Sequence, residues 1–566
     1  MRRRPTFVER TFNLSGVNMT ENGHDSRQFR VFHPTVVALV AAAVLLRLGL
    51  SFTLPRTIKD DEPMYLLLGY NLLAGNGFTY SGYPELHFTP LYPIIAGLFH
   101  LLIGDFETAS NLVYALFGGL LLFPVFEIAR RIYGVKTAWL AAVLIAIFPA
   151  LTVNVLYWGS LTEPLYLSLL YGGLAFLLVG LEDNRLGMLA PAGALLGLAY
   201  LTRPEAIVYF GVFVIFAWIW LLKGAKCGTR RTWHALGSFV VPFMVLAAPY
   251  IWYLHVHTGQ WLVSGKVDFV WQQATASKSF IYFDLMPGGE IAWLSPDRLQ
   301  MNTLQSVLTN PGDILHRVIK SGRSLKDQFF QWQNFWWGLT PLVVVALLKH
   351  PWDQRRVRHE AFLITIILVL LLTFLPFFFL VRLFAPAFPV LLIWTALGAL
   401  YLGRWLQDTV ELWREKSFSN PYLKSALGWL PAGMVAGFLI LTIPVVADGC
   451  RRTNAFGYKE AGLWLKVHTP ADAKVMTQEI AVALYADRHW VPSPNTDWAH
   501  FMQYARSHDA NYLVVRDFNL VKYQPQLAHA LQNGAPELEL VFSFEESHMP
   551  ESIKTLIYRI STPSDE

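Results

Sequence analysis

Hydrophobic positions in this chain come in long unbroken runs, separated by short turns rich in Lys and Arg. The first run covers about residues 34–54. After a mixed segment to about residue 109, further runs stand near 110–129, 137–153, 161–181, 186–202, 205–222, 235–254, 336–348, 360–380, 383–402 and 427–447. A helix needs about 20 apolar residues to cross the hydrocarbon core. Most runs have that length, and 336–348 is short enough that its helix is expected to start earlier. The pattern predicts about eleven membrane-spanning helices. Two further apolar stretches are too short to cross. Residues 90–104 begin at Pro90 and read as a helix lying in the interface or dipping in and out of it. In 62–74, Asp61 is placed to cap the start, Pro63 suits the first turn and Gly75 can end it.

The basic turns fix an orientation, because cytoplasmic loops carry the excess of Lys and Arg. Arg130, Arg131 and Lys136 mark one such turn and Arg185 a weaker one. Lys223, Lys226, Arg230 and Arg231 mark the next, then Lys349, Arg355, Arg356 and Arg358, then Arg404, Arg414, Lys416 and Lys424. They fall at every second loop, as alternation requires. The N-terminus is then cytoplasmic. Facing out are 55–109, the turn before Glu163, the turn at Arg203, the long loop 255–335, the turn at Arg382 and everything after 447.

Three regions follow. Residues 1–33 are polar and read as a disordered cytoplasmic tail; the opening Met-Arg-Arg-Arg is not followed by a short apolar stretch with a cleavage site. Residues 34–447 form the membrane region. In 448–566 charge rises and the apolar runs shorten, which predicts a small extracytoplasmic α/β domain. Strands are expected at 474–477, 483–485, 512–515, 538–542 and 555–559, and helices at 460–468 and 498–507.

Composition agrees with the pattern. Of 566 residues, 54% are hydrophobic and 15% charged, against about 25% charged in soluble proteins. A net charge of +5, with its cations between apolar runs, gives no footprint for nucleic acid. The two cysteines, Cys227 and Cys450, fall on opposite sides of the membrane in this topology, so no disulfide between them is expected.

Ionisable residues gather on the outer face: Asp60, Asp61, Glu62, Glu163 and Glu205 with Arg47, Arg56, Lys59, His87, Arg203, Lys266 and Arg382. Charged groups at membrane depth are costly and are paired or functional. A carboxylate here can take the proton of an attacking hydroxyl, and arginines can stabilise a departing phosphate. Each residue also has a structural reading. Asp60 or Asp61 can cap the following helix, and Glu163 in Ser160-Leu-Thr-Glu163 fits a helix-start pattern. Arg203 and Arg382 can anchor spans by reaching to headgroups, His87 can be a surface histidine, and Arg47 inside the first span is expected to pair with a carboxylate or carbonyl. There is no His-Glu-x-x-His or paired Cys-x-x-Cys metal motif. No cofactor is firmly expected; the Asp60-Asp61-Glu62 run could hold a divalent cation, Mg or Mn, with substrate phosphate oxygens. Without a Gly-rich phosphate loop, a nucleotide donor is not indicated.

These pieces together resemble the GT-C membrane glycosyltransferases related to protein O-mannosyltransferases and aminoarabinose transferases, over about residues 34–560. Asp61-Glu-Pro-Met-Tyr65 followed by Leu73-Ala-Gly75 is similar to the first outer-loop signature of that group. His87-Phe-Thr-Pro-Leu-Tyr-Pro93 resembles the entry to its second juxtamembrane helix, and Thr162-Glu-Pro164 its second acidic position. Leu201-Thr-Arg-Pro-Glu205, Arg382-Leu-Phe-Ala-Pro386 and the stretch from Tyr458-Lys-Glu-Ala461 to Tyr485-Ala-Asp487 resemble later motifs in the same order. The resemblance implies a helical membrane core of GT-C type with juxtamembrane helices and an outer cavity. It implies a sugar donor on polyprenyl or dolichyl phosphate, transfer to an acceptor hydroxyl of a lipid, glycan or protein, and inversion at the anomeric carbon. It makes Asp61, or Asp60 in the same doublet, the base or the carboxylate that positions the acceptor, with Glu163 in support, and Arg382 the donor-phosphate contact. Where the chain departs from the group, Lys266 and Arg203 are the other candidate phosphate cations, and Glu62, Tyr65 and His87 the candidate substrate contacts. Two positions depart from the group: Val381-Arg-Leu383 lacks a neighbouring carboxylate, and Ala248-Pro-Tyr250 is followed by Trp252 and Tyr253 where an arginine is usual. The expected location is a bacterial cell membrane. The alternatives are a polysaccharide ligase or polymerase using a lipid-diphosphate donor, and a transporter or flippase. No internal repeat supports the transporter reading.

Overall fold

The computed structural model describes residues 33–80, 82–223, 229–266, 284–285, 289, 291, 311–331, 333–349, 351–377, 380–414, 420–517, 520, 524–546 and 552–561. The tail expected at 1–33 (apart from His33), Lys226, Cys227, Lys416 and about half of 255–335, the loop expected to face out, lie outside the described residues.

Seven helices among the described residues are long and apolar enough to cross a membrane. They are α1 (Pro34–Thr53), the continuous pair α4 (Phe106–Leu120) and α5 (Leu122–Tyr133), α7 (Glu163–Glu182), α10 (Thr229–Thr258), α13 (Gln354–Phe374), α14 (Ala387–Arg414) and α15 (Pro421–Arg452). The other four expected spans are shorter apolar helices: α6 (Val135–Ile147), α8 (Leu189–Thr202), α9 (Ala206–Lys223) and α12 (Thr340–Leu348). A short helical turn at Trp337–Leu339 extends α12 at its start, as its length required.

The two stretches judged too short to cross are α2 (Glu62–Leu73) and α3 (Leu91–Ile103), packed on each other. Glycines permit their closeness: a Cβ on Gly69 would stand 2.2 Å from the Pro93 carbonyl oxygen, and one on Gly97 2.9 Å from that of Gly69. Gly75 follows α2 at φ +86°, a left-handed position suited to glycine. A two-stranded hairpin, β1 (Thr79–Tyr80) and β2 (Tyr83–Pro84), joins α2 to α3.

Arg47 shows how the core absorbs a charge. It is fully buried in α1, and its guanidinium donates to the carbonyls of Ala43, Ile145 and Ala146. The last two lie in the final turn of α6, where carbonyls lack the regular helical partner and Ile145 otherwise accepts only a long bond from the Phe148 amide (3.5 Å).

The region after α15 is an α/β domain. It comprises α16 (Gly457–His468), β3 (Lys474–Thr477), α17 (Ile480–Ala486), β4 (His489–Pro492), α18 (Trp498–Ser507), β5 (Tyr512–Arg516), α19 (Pro525–Gln532), β6 (Leu538–Glu546) and β7 (Ile553–Ile560). The sheet runs β4-β3-β5-β7-β6, with β3 parallel to β4 and β5, and β7 antiparallel to β5 and β6. The strand expected at 483–485 is instead part of α17. Its alanine-rich sequence favours helix, and Asp487 at φ +55° ends it. The domain docks on the membrane region through Tyr485, whose hydroxyl donates to Glu107 (2.6 Å) and accepts from the Ile58 amide (2.9 Å). Lys459 adds an ion pair to Glu107 (2.8 Å).

Candidate active site

The site forms where three connections meet: 54–61 after α1, 153–162 before α7, and 380–386 before α14. Backbone contacts join them. The Glu62 amide donates to the Gly159 carbonyl (2.9 Å), and Arg382 Nη1 donates to the Trp158 carbonyl (3.0 Å). Two non-glycine residues here take left-handed backbone, Asp60 (φ +54°) and the fully buried Leu161 (φ +53°). Such conformations are costly and cluster at functional sites.

Asp61 occupies the N-cap position of α2 yet makes no side-chain cap bond. Its carboxylate instead accepts from Arg382 Nη2 at 2.7 Å, and both side chains keep some exposure, 29% for Asp61 and 20% for Arg382. The capping reading of Asp61 therefore does not hold here. Burial would raise its pKa, but Arg382, then Lys266 and His87, outweigh that and hold the carboxyl below the usual aspartate range. Asp60 moves the other way: burial raises it against the pull of Lys59 and Arg382.

Glu163 begins α7 and is fully buried. Ser160 Oγ donates to it (2.9 Å), and Arg203 Nη1 reaches Oε1 at 2.7 Å. Arg203 also binds Glu205 through Nε and lies 5.6 Å above the Tyr166 ring. With both its carboxylate partners nearby, Arg203 reads as a clamp between α7 and the end of α8. Asp61 and Glu163 share one neighbourhood, since the charge of each acts on both Arg382 and Tyr65.

Lys266, after α10, makes no ion pair among the described residues. Its ammonium lies 5.6 Å above the Phe88 ring. Burial lowers its pKa, Asp61 opposes that, and Arg203 and Arg382 add to it. His87 stands beside Phe88 (ring centroids 4.8 Å apart), and its backbone is held by the Glu85 carboxylate, which also accepts from the Phe88 amide at 2.7 Å.

Glu62 and Tyr65 differ from the expected substrate contacts. Glu62 is fully buried in a two-pronged pair with Arg56 (2.8 and 2.9 Å), and Ser110 also donates to it. Arg56 in turn donates to Asn111 (2.9 Å). Glu62 thus fastens α2 to α4, and its neighbour in sequence alone faces the site. Tyr65 is 4% exposed and packs on Phe88 and Tyr92 with centroids 4.5 and 5.4 Å away. The expected cation position does not fit: Asp60 lies against Gly159, Asp61 turns to Arg382 and Glu62 to Arg56. Among the described residues no group of three or more His, Cys, Asp or Glu could hold a metal.

Sequence reasoning missed Ser160 and Gly159. The Ser160-x-x-Glu163 spacing was visible and read as a cap; the same spacing also lets a hydroxyl hold a buried carboxylate.

The family model of dolichyl-phosphate-mannose-protein mannosyltransferases matches residues 87–253. The chain is similar in structure to ArnT from Cupriavidus metallidurans bound to undecaprenyl phosphate (TM-score 0.58, 15% identity, 94% of this chain and 98% of that one). It is similar to apo ArnT from the same organism (0.56, 14%, 93% and 98%). It is also similar to the oligosaccharyltransferase AglB from Archaeoglobus fulgidus in complex with an inhibitory peptide and dolichol-phosphate (0.53, 13%, 94% and 74%). A sequence comparison with curated proteins finds no match. The fold is that of the GT-C glycosyltransferases. Fold and partial family match together define the architecture, a multi-helix membrane fold of GT-C type.

Proposed function

We propose that this enzyme transfers a sugar from a polyprenyl-phosphate carrier to an acceptor hydroxyl on the extracytoplasmic side, with inversion. The observation that carries this is Asp61: an ionised carboxylate at a helix start, free of capping duty, partly open, and facing Arg382. The solved relatives that hold undecaprenyl phosphate and dolichol-phosphate support a lipid-phosphate donor.

The step assigns one task to each group. Asp61 accepts the proton of the acceptor hydroxyl as its oxygen bonds to the anomeric carbon. The bond from that carbon to the phosphate oxygen breaks on the opposite face, and its electron pair leaves with the polyprenyl phosphate. Arg382 and Lys266 receive the growing phosphate charge. The arginine first holds Asp61 ionised, then has a second anion to serve. Arg203, Glu163 and Glu205 keep the frame rigid. No step is routed through a metal, because the three adjacent carboxylates face three different directions. In this reading the N-terminus is cytoplasmic, and the site and the C-terminal domain lie outside.

Proteoliposomes carrying the full chain, given a panel of polyprenyl-phosphate sugars and the matching diphosphate sugars, test this. The expected result is consumption of a monophosphate donor, release of polyprenyl phosphate and an inverted product linkage. Consumption of diphosphate donors alone would replace this reading with the ligase one.

A further inference from the structure

A helix away from the catalytic residues has a pattern that transfer chemistry does not explain. This is α11 (Pro311–Phe329), which carries His316, Arg317, Lys320, Arg323 and Lys326 against Asp313 and Asp327. At helical spacing, Ser321, Leu325 and Phe329 turn toward the protein, and Ser321 and Phe329 are each 4% exposed. Phe329 stacks on Phe388 (5.2 Å between centroids) and meets Phe384 (6.4 Å) in the turn that carries Arg382. The next stripe around the helix is apolar yet open: Leu315 is 63% and Ile319 48% exposed. Beyond it lies an exposed polar stripe, His316, Lys320, Arg323 and Asp327, with Lys326 at the border, so cations outnumber the one carboxylate on it.

One face thus grips the bundle, a greasy edge is left bare, and cations line the far side of that edge. Water alone would not favour two bare aliphatic side chains four residues apart. A bilayer surface favours all three stripes: the aliphatic edge enters the acyl boundary while the cations meet headgroups. Position agrees. Within a few residues the chain reaches the exposed ring of Trp337 (66% exposed), an interfacial residue type, and then the apolar α12.

We infer that α11 docks on the anionic lipid headgroup layer at the Arg382 side of the bilayer. Charge complementarity selects the occupant, since Lys320, Arg323 and Lys326 outnumber the exposed Asp327 on this helix and the net positive charge suits phosphodiester headgroups. The inference rests on the membrane placement of the fold and not on the transfer reaction, so the two can fail separately.

The test is amide hydrogen exchange of the full chain in phosphatidylcholine nanodiscs and in nanodiscs containing phosphatidylglycerol. Exchange across Pro311–Phe329 is expected to slow by at least about fivefold in the anionic discs, the gain carried by one basic side chain at such a surface. Added salt should reverse it by screening. Inorganic phosphate added to neutral discs should not reproduce it. The combined K320E, R323E and K326E variant should lose the slowing, and the milder K320Q, R323Q and K326Q variant should reduce it, with exchange in α13 unchanged in both. Equal exchange in the two lipids, as a protein partner or a second copy on this face would give, overturns the inference. Slowing that survives charge reversal, or that free phosphate reproduces, overturns it too.

Discussion

Arg382→Gln separates the two tasks assigned to this arginine. The substitution keeps a donor near the Trp158 carbonyl but removes the positive charge 2.7 Å from Asp61. Two unit charges about 4 Å apart at an effective dielectric near 20 attract by roughly 4 kcal/mol. This pair is 20% and 29% exposed, so solvent screening leaves its net value nearer about 1–2 kcal/mol, toward the exposed limit. Stability should therefore fall only modestly. Turnover should fall far more: losing one preorganised donor to developing charge costs about 10²–10³ in kcat. The pH profile adds a second readout. With Arg382 gone, burial acts on Asp61 against Lys266 and His87 alone, so its pKa rises and any acid limb of the rate due to Asp61 moves to higher pH. The assay is donor consumption by proteoliposomes across a pH series, with thermal unfolding in detergent alongside. Near-normal turnover in R382Q, or a loss matched by equal unfolding, would refute the assignment.

Glu62→Gln should act on stability. Removing one partner of a fully buried pair costs about 3–5 kcal/mol, so E62Q should melt well below the wild type, and a stable but inactive E62Q would restore a substrate role. Gly159→Ala should impair turnover, because the new Cβ would stand 2.3 Å from Asp60 Oδ2 and the backbone sits at φ +78°; activity and melting curves of G159A check this, and wild-type values for both would contradict the packing. Glu479, at the start of α17, has its pKa pushed up to about 7 by burial and then by Asp60. A raised folded-state pKa gives stability that is complete below the unfolded value near 4.5 and is lost as pH rises through about 7. Glu479→Gln should flatten the fall in melting temperature over that interval, and an unchanged slope would show that Glu479 is not its source.

Much of the layout was legible because it follows from periodicity and length. Runs of 20 apolar residues and proline-started short runs leave few alternatives, and the longest runs are long helices here. Short elements were harder. The stretch around Ala483-Leu-Tyr485 is apolar and brief, so its periodicity could not separate strand from helix, and β4 and α19 went unread. At the site, residue types showed where charge gathers and not which charges pair. Asp60, Asp61 and Glu62 are consecutive and chemically alike, yet they face Gly159, Arg382 and Arg56. Those partners are distant in sequence, or depend on a left-handed turn at Asp60 that no local pattern announces.

Asp61→Asn is the most direct test of the central claim, that this carboxylate removes the proton of the attacking hydroxyl. Single-turnover donor consumption should be measured in proteoliposomes carrying equal amounts of folded wild type and D61N. The account predicts a loss of about 10²–10⁴ in rate, with only a modest fall in melting temperature, as for R382Q, because D61N loses the part-exposed pair with Arg382 but no cap bond. Wild-type rates in D61N would contradict it.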